Sequence, residues 1–564
     1  MKRHGVIAVG IVLCGFCMAS AEAAAATGPR KKLIQVGWDI VDTAFLREHF
    51  AEMEAAGPFD GVLIYVKGKR IDGKPANTSS GWDGARWDRA SFKEAIDDLR
   101  ACRFTQFTDN FIRFNCTPGT LDWGDDAGWQ ALAEKAGILA WVCKAGGLKG
   151  ICLDPESYGE KQFQYRAASG RSFGQTTALA RRRGAEVMRA IAAEHPSMTL
   201  MSFWLASMCM NAGRAAEPDD VLIAETYGLW PAFLNGMLDS VPASMVLVDG
   251  NENGYYIEGA AYYTVANKMR NLTGPAFALI APPNRAKYRA QMQVGFGFYL
   301  DMYINPEGNQ YYRGPKEGGT RLDRLRDNLA AAVDASDQYV WVYGEQCRWW
   351  PSFEFSGWGR ERVMQSAGKG RLWEEALPGL TRTLAEIRDP AEAARAQIEA
   401  ARKAGKLVNL ARNGDFAAKA GDLPAEFGTW QDTEAGSKGK FLWDAEGGGC
   451  GRLENMANGC FIQKHAAKPG QMYYVEATSR NEGAAVPSVM VRWQTAQDAW
   501  VRWDSDVVLT FGAAGEGGWR KASGVVVVPK GAGQLVILLR VRSFGSGGDV
   551  CLFDDLELYR VGGR

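Results

Sequence analysis

The sequence predicts a barrel of eight strand–helix units, a (β/α)8 TIM-like barrel of the α/β class, followed by a separate all-β sandwich. Three observations carry that prediction. A chain of 564 residues is longer than one core of ordinary size organises. From residue 33 to about 345, strand-like apolar runs alternate with segments of helical period, eight times over. After Leu407 the helical period stops, and short runs between glycine turns replace it.

Taken in order, Met1-Lys-Arg-His is basic, Val6 to Ala19 is a short apolar run, and Ala-Glu-Ala-Ala-Ala-Ala (21–26) offers small-residue cleavage sites. Residues 1–26 therefore read as a secretory signal peptide, and a secreted or periplasmic location is expected. No later run is long enough for a membrane anchor. The eight runs are Leu33–Trp38, Gly61–Val66, Asp109–Asn115, Gly150–Asp154, Thr199–Trp204, Met245–Asp249, Val294–Tyr303 and Gln338–Glu345. Between them, Leu46, Phe50 and Met53 mark one helical face, Phe92, Ile96 and Leu99 another, and Val187, Ala190 and Ile191 a third. Arg181-Arg182-Arg183 reads as a solvated helix face, and Leu205–Gly228 as a long loop over the rim. The expected domains are a barrel over 31–390, a helical linker over 391–406 and a β-sandwich over 407–564.

Composition excludes several functions. Lysine plus arginine equals aspartate plus glutamate, 65 each, so no overall field draws in nucleic acid. No Gly-x-Gly-x-x-Gly follows the first run, which removes a dinucleotide site. Nine cysteines remain beyond residue 26 and none forms Cys-x-x-Cys. With only His49, His195 and His465 besides His4, neither a zinc cluster nor a Ser-His-Asp relay can be assembled. No cofactor for catalysis is expected.

What the runs do carry is acid and aromatic residues at their ends, where a barrel presents its chemistry. The fourth run ends Cys152-Leu-Asp154-Pro-Glu156, which alternation places with Cys152, Asp154 and Glu156 on one face. Pro155 donates no N–H, so the strand stops there. The first run ends Trp38-Asp39 and the third ends Asn115. The sixth continues Asp249-Gly-Asn-Glu252-Asn-Gly-Tyr255, with Val246 and Val248 expected to face out and Asp249 in. The seventh carries Tyr299, Asp301 and Tyr303 on one parity. In the eighth, Val340 and Val342 should face the helices, leaving Trp341, Tyr343 and Glu345 inward, with Trp349 just beyond. Acids among Trp and Tyr on several strand ends point to a saccharide partner and to cleavage of a glycosidic bond by a carboxylic acid and a carboxylate. Glu156 is the expected acid, raised by desolvation and by Asp154. Glu345 is the first choice of partner, and Asp249 with Asp154 is the alternative. A separation of about 5–5.5 Å would imply retention of configuration and roughly 6.5–9.5 Å inversion. Trp38, Asp39, Asn115, Glu252, Tyr255, Tyr299, Asp301, Tyr343 and Trp349 are the expected substrate contacts. The rival function is a carbohydrate-binding protein with a degenerate, non-catalytic barrel.

Residues 408–563 resemble carbohydrate-binding modules of the family 4/9 type. The resemblance rests on Asn413-Gly-Asp-Phe416, Trp430, Pro469-Gly470 before Tyr473-Val-Glu-Ala, Trp519, Pro529 and Phe553-Asp-Asp-Leu-Glu-Leu558. It implies a jelly roll and a structural calcium, with Asp415 and Asp554 as its contacts. Trp493, Trp500 and Trp503 are candidate stacking residues, alternate ones belonging to the core. The barrel is similar to secreted glycoside-hydrolase barrels at clan level. Lys149–Glu156 resembles the fourth-strand Asp-x-Glu of family 18 chitinases, without that motif's earlier aspartates.

Overall fold

In the computed structural model, residues 31–561 are described, apart from 433–438, 503–504 and 543–547. The expected signal peptide and Trp503 lie outside the described residues. Nine parallel strands form the N-terminal region: β1 (Lys32–Gly37), β2 (Gly61–Ile64), β3 (Phe111–Asn115), β4 (Gly150–Asp154), β5 (Thr199–Ser202), β6 (Val246–Asp249), β7 (Met292–Val294), β8 (Phe296–Tyr299) and β9 (Tyr339–Gly344). They pair in the order β7-β6-β5-β4-β3-β2-β1-β9-β8. The two ends of that sheet are consecutive in the chain, separated only by Gly295, whose N–H donates to Asp249 O at 2.8 Å. The sheet therefore comes back on itself as a barrel. A Cβ at Gly295 would sit 2.9 Å from Tyr339 O, so a side chain there would force the two pieces apart.

Side-chain alternation divides this region into an inner and an outer apolar layer. Ile34, Val36, Leu63, Phe111, Cys152 and Trp341 pack inside, whereas Ile151, Leu153, Val340 and Val342 pack against the helices. The parity expected for β4 and β9 holds. That expected for β6 does not: Val246 and Val248 join the inner cluster and Leu247 the outer one, so Asp249 points out of the barrel. The seventh run is also not one strand. After Tyr299 the chain enters a 3-10 turn, Leu300–Tyr303, and no single parity covers Tyr299, Asp301 and Tyr303.

The helices follow from their caps and apolar faces. Asp42 accepts from Phe45 N to start Thr43–Ala56, which buries Leu46 and Met53. Ser172 and Gln175 form a capping box on Phe173–Glu194, whose Val187 and Ile191 are buried. On that helix Arg183 is not solvated as expected: it is buried, donating to Trp123 O at 3.2 Å and to Glu186 at 2.8 Å. The segment Leu205–Gly228 is equally well anchored, with Asp249 holding the Leu205 and Ser207 N–H groups at 3.0 and 2.9 Å.

The C-terminal region is two five-stranded antiparallel sheets face to face. One contains Gly428–Gln431, Asn458–Ala466, Gln534–Arg542, Val486–Gln494 and Val507–Thr510; the other contains Lys440–Asp444, Cys450–Glu454, Val550–Val561, Met472–Glu482 and Arg520–Val527. Phe461, Val475, Trp493, Leu539 and Phe553 fill the space between them. Among the described residues all nine cysteines are buried and unpaired, and no helix is long and apolar enough to cross a membrane.

Helix Pro390–Lys403, expected as a linker, lays Ala394 and Ile398 on Tyr474, Tyr559 and Val561 at the outer surface of the second sheet. A fragment beginning at residue 406 loses that cover, although its inter-sheet core is intact. Both fragments are expected to fold, with the one starting at 389 melting higher, by about 2–4 °C per kcal/mol of burial retained. Equal melting temperatures for 389–564 and 406–564 would show that the helix is a passive spacer.

Candidate active site

At the C-terminal ends of the barrel strands lies a cavity of about 460 Å³ into which Glu156, Glu252 and Glu345 all project. A larger open groove, about 560 Å³, lies among outer helices and near none of the strand ends. Local structure explains how each carboxylate arrives. Glu156 stands two residues past β4, where Asp154 accepts from its N–H (3.1 Å) and the Asn115 amide donates to its carbonyl (2.8 Å). Glu252 opens a 3-10 turn after β6. Its N–H donates to Phe203 O at 3.1 Å, and Asn251, at φ +30°, supplies the sharp turn. Asparagine visits the left-handed region at lower cost than most residues, which suits it to this position. Glu345 follows β9 directly, its N–H donating to Asp301 at 3.0 Å.

Aromatic rings form the walls. Phe203 stacks on Trp341 at 4.3 Å between centroids, and Trp341 Nε1 donates to Gly250 O at 2.8 Å. A Cβ on Gly250 would meet that nitrogen at 2.8 Å, so the glycine is what lets the indole in. Tyr255 lies parallel to Tyr343 (8°, 5.9 Å) with Tyr299 behind both. Trp38 donates to Tyr343 Oη (3.0 Å), which donates to Glu345 Oε1 (2.9 Å). At the lip Trp358, 64% exposed, meets Trp38 at 5.4 Å, and the Arg362 guanidinium lies over both rings.

The electrostatics separate the three glutamates. Asp154 is buried and ion-paired with Arg113 at 2.7 Å. Burial raises the Glu156 carboxyl, Asp154 adds to the rise, and a 2.7 Å hydrogen bond from Tyr158 Oη opposes it. Burial raises Glu252 much further, and the charges of Glu156 and Asp154 push the same way. The Tyr255 hydroxyl opposes that rise, although neither it nor Glu252 Oε2, both buried, forms a well-aligned hydrogen bond. Glu156 and Glu252 thus line one desolvated cavity, in which the charge of one opposes ionisation of the other.

Several expected site residues lie outside the cavity wall. Asp249 spends its carboxylate on Leu205 N, Ser207 N and Ser207 Oγ, consistent with its outward parity. Asp39 turns to Gln35 and Trp349 N, both at 2.7 Å. Trp349 is buried against Phe59 and Trp373. Asn115, Tyr299 and Asp301 stand behind the lining groups. Conversely, Arg113, Phe203, Ile40 and Trp358 line the cavity and were not among the expected contacts. Arg113 carried a readable signal, a charge in the middle of the apolar strand Phe-Ile-Arg-Phe-Asn. In the sandwich, Trp493 belongs to the core and Trp500 is exposed.

No family model and no characterised protein matches the sequence. Among solved structures, the enzymatically active domain of bacteriophage CBA120 tailspike protein 4 is similar over 27% of this chain (13% identity, TM-score 0.22). TmCBM61 in complex with β-1,4-galactotriose is similar over 28% of this chain and all of its own (17%, TM-score 0.20). The CBM22-1–GH10 modules of the Clostridium thermocellum endo-1,4-β-D-xylanase 10B are similar over 25% (14%, TM-score 0.20). The alignments span 22% of the tailspike domain and 27% of the xylanase structure. Scores this low carry no weight for function, which rests on the site itself.

The buried acids give the fold a definite pH response. Burial raises Asp39 to about 7, and burial with the neighbouring Glu345 charge raises Asp301 to about 8. Each holds its proton more tightly folded than unfolded, so stability present below about pH 4 is lost as pH rises through 7 and 8. His465, lowered to about 4 by burial, acts with the opposite sign, but only up to the ordinary histidine value of 6.5. About one unit above 6.5, where His465 and the similarly lowered His195 are neutral folded and unfolded, the raised acids, Glu252 among them, act alone. Urea unfolding at fixed ionic strength should give a free energy lower at pH 8.5 than at 6.5, on the order of 2 kcal/mol. A flat profile would mean that both acids are already ionised at pH 6.5.

Proposed function

We propose that the chain is a glycoside hydrolase acting in polysaccharide degradation outside the cytoplasm. On this reading its catalytic domain is a (β/α)8 barrel whose seventh strand is split at Gly295, and a carbohydrate-binding module follows helix Pro390–Lys403. The observation that carries the proposal is the pairing of Glu156 with Glu252 in a cavity walled by Trp and Tyr. Glu252, the more deeply buried and the more strongly raised of the two, holds the proton and delivers it to the glycosidic oxygen as the C–O bond breaks. Glu156, whose anion is stabilised by Tyr158 Oη, is the carboxylate that activates water or attacks the sugar carbon. This exchanges the role expected for Glu156 and moves its first-choice partner from Glu345 to Glu252. Glu345, fixed by Tyr343, becomes a substrate contact. The test is a polysaccharide panel in which released reducing ends are measured for the wild type and Glu252→Gln. Binding without product from either protein would favour a non-catalytic saccharide-binding barrel.

The module's resemblance implies a calcium at Asp415 and Asp554; among the described residues no group of three or more His, Cys, Asp or Glu side chains is placed to hold a metal ion, so backbone carbonyls would have to complete its shell. Burial raises Asp554 to about 6, and the charges of Asp555 and Asp415 add to the rise. Asp415 and Asp554 would hold the ion, a hard cation that takes carboxylate and carbonyl oxygens. Chelator should then lower the melting temperature, and added calcium should restore it. A melting curve indifferent to both removes the ion.

A further inference from the structure

We propose that the outward face of the first sandwich sheet is a second saccharide site, and that its ligand is an anionic polysaccharide bearing carboxylate or sulfate groups. The proposal rests on the reading of this region as a carbohydrate-binding module and does not depend on the barrel chemistry. Strand alternation sends Phe461, Leu539, Val489 and Trp493 into the core, so their neighbours form the opposite face. The register sets that face in rows, with Trp430, Cys460, Arg540 and Ser488 side by side and Ile462, Leu538, Met490 and Val508 in the row beside them. The second row is apolar, and Cys460, Val536 and Leu538 form a small buried cluster at the base of this face with Ile462 and Met490 packed against it. Two exposed indoles bound it: Trp430 on the edge strand (48% exposed), and Trp500 (50% exposed), over which the Arg492 guanidinium sits at 4.1 Å. Three strand spacings, about 15 Å, separate the strand of Trp430 from that of Arg492. That span suits a stretch of chain better than a single sugar, with apolar ring faces on the indoles.

The charge on this face selects the ligand. Arg540 is half-buried in the middle of it, donating to Asn458 Oδ1 at 3.1 and 3.0 Å, and forms no ion pair among the described residues. Burial lowers its pKa, and the charges of Arg542 and Arg492 add to the fall against an opposing contribution from Cys460. Arg492 is matched by Asp506 and Lys464 by Asp498. Among the described residues Arg540 and Arg542 are left as adjacent cations without an acid, in a place where desolvation makes an anion valuable. A nucleic acid would call for a continuous basic track, which two uncompensated arginines do not make.

Titration calorimetry of the full-length protein with polygalacturonate, dextran sulfate, a neutral β-glucan and single-stranded DNA tests this. Binding to either or both of the first two polymers is expected, weakening steeply with salt. Trp430→Ala and Arg540→Gln should each weaken it at least 10-fold, with unchanged circular dichroism, while Glu252→Gln should leave it intact. Polygalacturonate alone would identify carboxylate as the recognised group, and dextran sulfate alone would identify sulfate. The proposal is overturned if no polymer binds, if the neutral glucan binds as tightly, if DNA binds more tightly, or if neither Trp430→Ala nor Arg540→Gln changes the affinity.

Discussion

Glu252→Gln is expected to lower turnover on the natural polysaccharide about 10²–10⁴-fold, the range typical for loss of a positioned general acid. Glutamine preserves the size of the side chain and matches the neutral form that burial favours at Glu252, so stability should change little. Two further readouts fix the role. An activated aryl glycoside leaves with little protonation, so Glu252→Gln should recover much of its activity on one, whereas Glu156→Gln should not. The alkaline limb of the pH–rate profile should also vanish in Glu252→Gln, because that limb reports deprotonation of the acid. Glu345→Gln should cost less than either. If Glu345→Gln is instead inactive while Glu252→Gln works normally, the carboxylate partner is the one after β9 and the pairing proposed above is wrong.

How far such a site can be read from sequence depends on contrast between the two faces of each strand. In Tyr339-Val-Trp-Val-Tyr the valines and the aromatics differ enough to set parity, and Trp341 and Tyr343 do face the cavity. Met245-Val-Leu-Val-Asp is apolar on both faces, because a barrel strand is packed on both sides. Its sequence offers no contrast to set parity, and Asp249, expected inward, lies on the outer face with Leu247. Glu252 was visible as an acid, but its place depends on a left-handed turn at Asn251 that follows the strand and obeys no alternation. Asp301 leaves the cavity wall for a similar reason, the strand giving way to a 3-10 turn after Tyr299. Glu156 was legible because Pro155 ends the strand beside it. The sandwich was legible from its turns and alternation, but the cation cluster around Arg540 was not, since it joins strands far apart in sequence.

Arg113→Met should be the most destabilising of the variants considered. Its guanidinium is the counter-charge of Asp154, which is fully buried and also accepts the Glu156 N–H. Removing one partner of a buried pair leaves the other charged and unmatched, at a cost of about 3–5 kcal/mol. The melting temperature should accordingly fall by on the order of 10 °C. Part of the loss depends on reference to the pair and not on Arg113 alone, so Arg113→Met combined with Asp154→Leu should recover most of it. The chemistry should respond separately. Arg113 lowers the pKa of both Glu156 and Glu252, so without it both acids should hold their protons to higher pH. The acid limb of the pH–rate profile, set by the carboxylate Glu156, should therefore move upward in Arg113→Met. Full stability in that variant would mean that water reaches Asp154 and matches its charge. An unmoved acid limb in a destabilised variant would mean that Arg113 supports the fold without tuning the glutamates.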